Sequence, residues 1–275
     1  MAFYKYVKLA DLEYFIKNKT IKFTNPHRFN DPFDCNFPFH DELFADVYER
    51  YVVKDMKKRC PDEHEDIAKC AAQLLQPKFD SIRNMIITPF RGMWDNYISN
   101  YRILCLSTDN DNLLMWSHYA DQHKGAIVEI DITKLKLFPS ISKNENFVMQ
   151  GIVEYDKYYS YIKDALEKTL EIFNTSQDRN AIFQFVFDNL NNYFMYKMPE
   201  WRYENEYRMV ISKNNDMLHA DDTVSIEQGA IKRVILGCCH KKSDEYEDSV
   251  IMLEKNDIPY SIAVKNSYCI DIPEA

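Results

Sequence analysis

Glycine is scarce in this chain: Gly92, Gly125, Gly151, Gly229 and Gly237 are all that 275 residues contain. They stand too far apart to build a G-x-G-x-x-G turn or a phosphate-cradling P-loop, which disfavours Rossmann-type dinucleotide binding and P-loop NTPase chemistry. Cysteine pairs at metal or redox spacing are missing too. The seven cysteines include no C-x-x-C, and the adjacent Cys238 and Cys239 cannot easily bridge each other. Cys105, Cys238 and Cys269 lie in apolar runs and read as small buried hydrophobes. Seven histidines contain no H-x-x-x-H, and His118 and His123 are the nearest pair, so a metal site is not indicated. Ser107 and Ser117 lack a G-x-S-x-G context, which argues against an α/β-hydrolase. No apolar stretch approaches membrane-spanning length and no apolar leader opens the chain, so a cytoplasmic protein with no membrane partner is expected. Positive charge is also short. The net charge of −9 argues against binding nucleic acid chiefly by bulk charge, though a local basic groove remains compatible.

What is present is a rich apolar and aromatic complement. Hydrophobic residues make up 46% of the chain and aromatics 14%, enough for a sizeable core. Strands are expected at 3–9, 21–23, 102–107, 126–130, 152–155, 207–211 and 231–236, and weakly at 258–264, from alternating or apolar β-branched runs. Helical patterns are expected at Leu12 to Asn18, over a polar stretch from about 41 to 100 that includes a candidate helix near Glu65 to Leu75, at Leu113 to Ala120, and through 160–197. Asp11 is a plausible cap for the first of these, and Asp109 or Asp111 for Leu113 to Ala120. Strands interleaved with short helices give an α+β or mixed α/β fold. A single domain over 1–275 is expected, with a helical insertion at about 41–100 and a helical block at about 160–197.

Three segments carry candidate chemistry. The run Trp201-Arg202-Tyr203-Glu204-Asn205-Glu206-Tyr207-Arg208 flows into Met209-Val210-Ile211. Read as a strand, it places Arg202, Glu204, Glu206 and Arg208 on one face and Trp201, Tyr203, Tyr207 and Met209 on the other. Two carboxylates bracketed by guanidinium groups can anchor a polar ligand or stabilise a cation. They can equally pair with one another as a solvated charge ladder. In Phe29-Asn30-Asp31-Pro32-Phe33-Asp34, Asn30 and Asp31 suit backbone-bonded turns, and a loop so dense in polar groups can also line a pocket. In Met115 to Tyr119, Trp116 and Tyr119 are either core or a stacking platform for a flat ring, with Ser117 or His118 as hydrogen-bonding partners.

These segments, together with Tyr4-Lys5-Tyr6 and the Cys105-Leu106-Ser107 strand end, carry a resemblance. In order and composition they resemble a family of uncharacterised bacterial proteins that recurs in mobile and phage-defence gene neighbourhoods. More distantly, the layout resembles that of ADP-ribosyltransferases, whose core is a small split β-sheet. Glu204-Asn205-Glu206 looks like the E-x-E pair of those enzymes, and Ser107-Thr108 looks like their middle polar element. The first strand offers Tyr4, Lys5 and Tyr6 where those enzymes carry His or Arg; His27, Arg28 or Arg102 would have to substitute.

The resemblance implies a split-sheet α+β fold with helical insertions and NAD as substrate. It implies that Glu206 bonds the ribose and stabilises an oxocarbenium-like cation, while Glu204 positions the acceptor. Tyr6, Asn30, Asp31, Ser107, Trp116, His118, Tyr119 and Arg208 would then line the NAD site, with Trp116 or Tyr119 stacking on a ring and Arg208 orienting the carboxylates or meeting a phosphate. The acceptor would be protein or nucleic acid, in a toxin or phage-defence effector with a possible antitoxin or defence-system partner. The alternative class is a non-catalytic sensor or binding module. A nuclease is a third and weaker one, since no Asp/Glu/His metal cluster is visible.

Overall fold

A computed structural model describes residues 1–62, 69–70, 76–137, 147–176, 179–239, 244–267 and 269–274. The chain divides into two compact units. The first comprises 1–28, 100–153 and 200–275, and the second 29–99 and 154–199.

The first unit is built on a mixed seven-stranded sheet, which does not close into a barrel. In chain order its strands are β1 (Phe3–Val7), β3 (Tyr101–Ser107), β4 (Ala126–Ile130), β5 (Phe147–Ile152), β6 (Glu206–Ser212), β8 (Ile231–Leu236) and β9 (Tyr260–Ile262), hydrogen-bonded in the order β5-β6-β3-β1-β4-β8-β9. All neighbours run antiparallel except β8 and β9. Two ribbons complete the strands: β2 (Thr20–Lys22) with β7 (Thr223–Ser225), and β10 (Val264–Lys265) with β11 (Ile270–Asp271).

Alternation decides what each sheet face does. Leu104, Leu106, Val128, Met209, Ile211, Val234 and Leu236 point to one side. There they pack with Leu12, Phe15 and Ile16 of the helix Leu9–Asn18 and with Met252 and Leu253 of the helix Asp244–Lys255. The opposite side carries Tyr4, Tyr6, Ile127 and Ile235 under Met115 and Trp116 of the helix Leu113–Tyr119. Trp116 is fully buried, lies edge-on to Tyr6 and donates its indole N–H to the Asn110 carbonyl at 3.0 Å.

The second unit is helical. Asp41–Arg59 packs on Tyr158–Ser176, which packs on Arg179–Leu190, and Gln76–Ser99 carries the fully buried Trp94. The helix expected near Glu65 to Leu75 lies outside the described residues apart from Lys69 and Cys70.

Several local expectations need correcting. The helix at Leu113 is capped by Asn112, whose side chain accepts from the Leu114 and Met115 amides, and neither Asp109 nor Asp111 fills that role. The first helix begins at Leu9, and its cap residue, Lys8, makes no side-chain cap bond, so Asp11 lies inside the first turn. The strand expected at 152–155 ends at Ile152. Cys269 is exposed, and Cys105 and Cys238 are half-buried, so none is a fully sealed core residue.

Glycine substitution tests the packing in both directions. A Cβ at Gly125 would sit 2.2 Å from the Val7 carbonyl oxygen, whereas one at Gly92 meets nothing within 4 Å. Gly125→Ala is expected to lower the denaturation midpoint sharply. Gly92→Ala, within a helix, should raise stability by about 0.5–1 kcal/mol. Urea titrations of the two variants read both outcomes.

Candidate functional site

The site is set by where β6 begins. Residues Pro199–Glu204 form a 3-10 turn, Asn205 takes a positive φ of 43°, and the strand opens at Glu206. The expected continuous strand from Trp201 is therefore broken at Asn205. The aromatic residues of the run divide accordingly. Tyr207 and Met209 join the helix-covered face, while Tyr203 packs with the layer around Trp116. Arg202 is exposed, whereas Glu204, Glu206 and Arg208 are buried.

Those three side chains are almost completely withdrawn from solvent: Arg208 is 0% exposed, Glu204 and Glu206 each 4%. Arg208 and Glu206 sit two residues apart on one strand face. They form a forked pair, with Nε donating to Oε1 at 2.8 Å and Nη2 to Oε2 at 3.0 Å. Glu204 reaches the same side from the turn, where the Tyr119 hydroxyl donates to its Oε1 at 2.6 Å. Ser107 locks the turn onto the sheet. Its hydroxyl donates to the Glu204 carbonyl at 2.7 Å and accepts the Asp109 amide at 3.1 Å. The backbone N–H of Thr108 donates to the Asn205 carbonyl at 2.9 Å, fixing the kink.

Register extends the site across the sheet. Glu206 lies opposite Ser107, Ser107 opposite Tyr4, Tyr4 opposite Glu129, and Glu129 opposite Arg233. Cross-strand partners share a face, so these five residues form one polar row over five strands. At its far end Arg233 donates from Nε to Glu129 Oε2 at 2.7 Å. Glu129 and Arg233 escaped the sequence reading, and Tyr4 entered it only as part of the first-strand motif, because only pairing register brings them into line with Glu206. Cys105 lies opposite Arg208 in β3. Burial and the neighbouring Glu206 charge push its thiol well above the ordinary range, against the opposing pull of Arg208 and Lys5.

The remaining predicted site residues fall into three places. Tyr6, on β1, donates to the Asp109 carbonyl at 3.0 Å, and burial with the charges of Asp109 and Asp111 raises its phenol. Trp116 is core rather than an exposed stacking platform. His118 is exposed and its Nδ1 lies 3.1 Å from the Tyr203 hydroxyl. Asn30 and Asp31 belong to the second unit. There Asn30 is exposed, and Asp31 is buried, with Oδ1 accepting the Phe33 amide at 2.9 Å as its turn chemistry requires. The neighbouring Asp34 pairs with the buried Lys197 at 3.4 Å. Among the described residues, no group of three or more His, Cys, Asp or Glu side chains has the arrangement of a metal site.

Comparison with known families gives a match over part of the chain. Residues 115–209 match the model of a family described as "Protein of unknown function (DUF2971)". The matched segment takes in Trp116, His118, Tyr119, Glu204, Glu206 and Arg208, and leaves Tyr6, Asn30, Asp31 and Ser107 outside it. No curated protein and no solved structure gives a match.

A buried forked ion pair predicts an asymmetric mutational response. Glu206→Met or Arg208→Met alone strands the other charge and should cost about 3–5 kcal/mol. The double Met variant should recover most of that loss, since well-packed apolar replacements for a buried pair are often neutral. Chemical denaturation of the four proteins, analysed as a double-mutant cycle, gives the coupling directly.

Proposed function

We propose that this protein is an NAD-consuming ADP-ribosyltransferase-like enzyme, acting as a toxin or phage-defence effector on a protein or nucleic-acid acceptor. The observation that carries the proposal is the pair of nearly buried carboxylates, Glu204 and Glu206, which flank Asn205 and are each held by a named donor. Breaking the nicotinamide–ribose bond develops positive charge on the sugar. A carboxylate already fixed in a low-dielectric setting stabilises that charge without first reorganising solvent.

Glu206 is the electrostatic group in this reading, and Arg208 fixes its orientation. Glu204, bonded to the Tyr119 hydroxyl, accepts a proton from or orients the incoming nucleophile. Ser107 keeps the two glutamates at their spacing by anchoring the turn between them. Trp116 supports the helix that delivers Tyr119 and has no stacking role.

A second reading has its own support. The fork between Arg208 and Glu206 occupies both carboxylate oxygens, which also suits a structural strut in a non-catalytic sensor or binding module. Labelled NAD incubated with protein and cell lysate separates the two readings. The enzyme reading expects label transfer by the wild type and a loss of about 100-fold or more in Glu206→Ala after correction for folded fraction. Equal transfer by both proteins, or none by a folded wild type, rejects it. Activity in a cellular assay that tracks only the amount of folded Glu206→Ala favours the binding module.

A further inference from the structure

Beyond the glutamates, the adjacent thiols that follow β8 form an unused nucleophilic pair. Neighbouring side chains on a strand point to opposite faces, which would separate two consecutive cysteines. Here the strand ends at Leu236 and residues 238–239 form a turn, which brings Cys238 Sγ and Cys239 Sγ to 3.9 Å. A tetrahedral ion with metal–sulfur bonds of about 2.3 Å holds two sulfurs about 3.8 Å apart. The thiols already stand at that bite.

Two further observations support a held site. The backbone under the pair is clamped on both sides: Gly237 N–H donates to the Gly125 carbonyl at 2.8 Å and Cys239 N–H to the His123 carbonyl at 2.9 Å. The approach at Gly237 is so close that a Cβ there would sit 2.2 Å from the His123 oxygen. The pair is also accessible, with Cys239 exposed and Cys238 half-buried. Both are free thiols.

We propose that Cys238 and Cys239 form an exchangeable chelating site for a soft, zinc-like divalent ion, with both thiolates supplied by the protein. Soft thiolates select such ions over magnesium or calcium. Binding replaces two S–H protons with one ion, so each ion bound releases up to two protons.

The site has a route to the candidate catalytic residues. Cys239 is bonded to His123, whose own N–H donates to the Trp116 carbonyl at 3.1 Å and whose ring stacks on Trp116. Trp116 belongs to the helix that presents Tyr119 to Glu204. Among the described residues, Lys265 acts electrostatically on both Cys238 and His123, and the His123 imidazole is held below its ordinary range chiefly by burial. Each thiol must lose its proton to bind the ion, so affinity should climb as pH rises.

The test is zinc competition against a chromophoric chelator, with full-length protein reduced by a non-thiol phosphine. The expected result is one zinc per chain, with affinity reduced about 100-fold in either Cys238→Ser or Cys239→Ser and unchanged in Cys269→Ser. Cadmium should give a thiolate charge-transfer absorbance that the Cys238→Ser/Cys239→Ser double variant lacks. Unchanged zinc affinity in a folded double variant overturns the proposal, as does a zinc affinity of the wild type no better than that of either single variant.

Discussion

The buried fork between Arg208 and Glu206 constrains everything around it. A guanidinium with no solvent exposure is tolerated only where a carboxylate meets it in good geometry and the remaining donors are met by other groups. Both residues lie in β6, two positions apart, so both side chains leave the same strand face. The chain turns abruptly just before the strand, at Asn205, whose φ is 43°. With the strand opening there, the preceding Glu204 is carried by a 3-10 turn that Ser107 and the Thr108 amide pin to the neighbouring strand. The cost of burying these charges is met by a packed sheet on one side and by the Trp116 helix on the other. A site so sheltered is costly to assemble and strong once assembled, because charges interact more in a medium that screens them less.

The two faces of the sheet divide the labour. One is an apolar seal in which Leu104, Val128, Met209 and Val234 meet two amphipathic helices. The other mixes large aromatics with the polar row from Glu206 to Arg233. Tyr4 and Tyr6 occupy both worlds, giving ring surface to the Trp116 layer while Tyr6 spends its hydroxyl on the Asp109 carbonyl. The layer thereby couples the helix bearing Tyr119 to the strands bearing Ser107 and Glu206.

Much of this arrangement was legible in the residues. Alternation in Phe3–Val7, the apolar run Ala126–Ile130 and the stretch Ile231–Leu236 each marked a strand that the fold contains. The segments read as helical over 41–100 and 160–197 do carry helices. The mixed α/β class followed from that interleaving. The Trp201–Arg208 run was misread where local pattern and backbone geometry diverge: alternating polarity suggested one strand, but Asn205 tolerates the left-handed region and breaks it. The cap at Leu113 went to Asn112 because capping rewards the residue immediately before the helix, and the two nearby aspartates stand one and three residues too early. Glu129 and Arg233 could not be placed in one row with Glu206 from sequence, since register between strands distant in sequence is a tertiary property. Trp116 was legible as either core or platform, and only its burial decides for core.

Under the proposed function, Glu204 and Glu206 act on the glycosidic bond of NAD. Release of free nicotinamide, followed by chromatography in a purified mixture of protein and NAD without any acceptor, interrogates that bond alone. Water can serve as the nucleophile when no acceptor is present, so the account predicts slow nicotinamide release by the wild type and its loss in a folded Glu204→Gln/Glu206→Gln variant. Release at the same rate from that double variant, or none above the spontaneous background from folded wild-type protein, would contradict it.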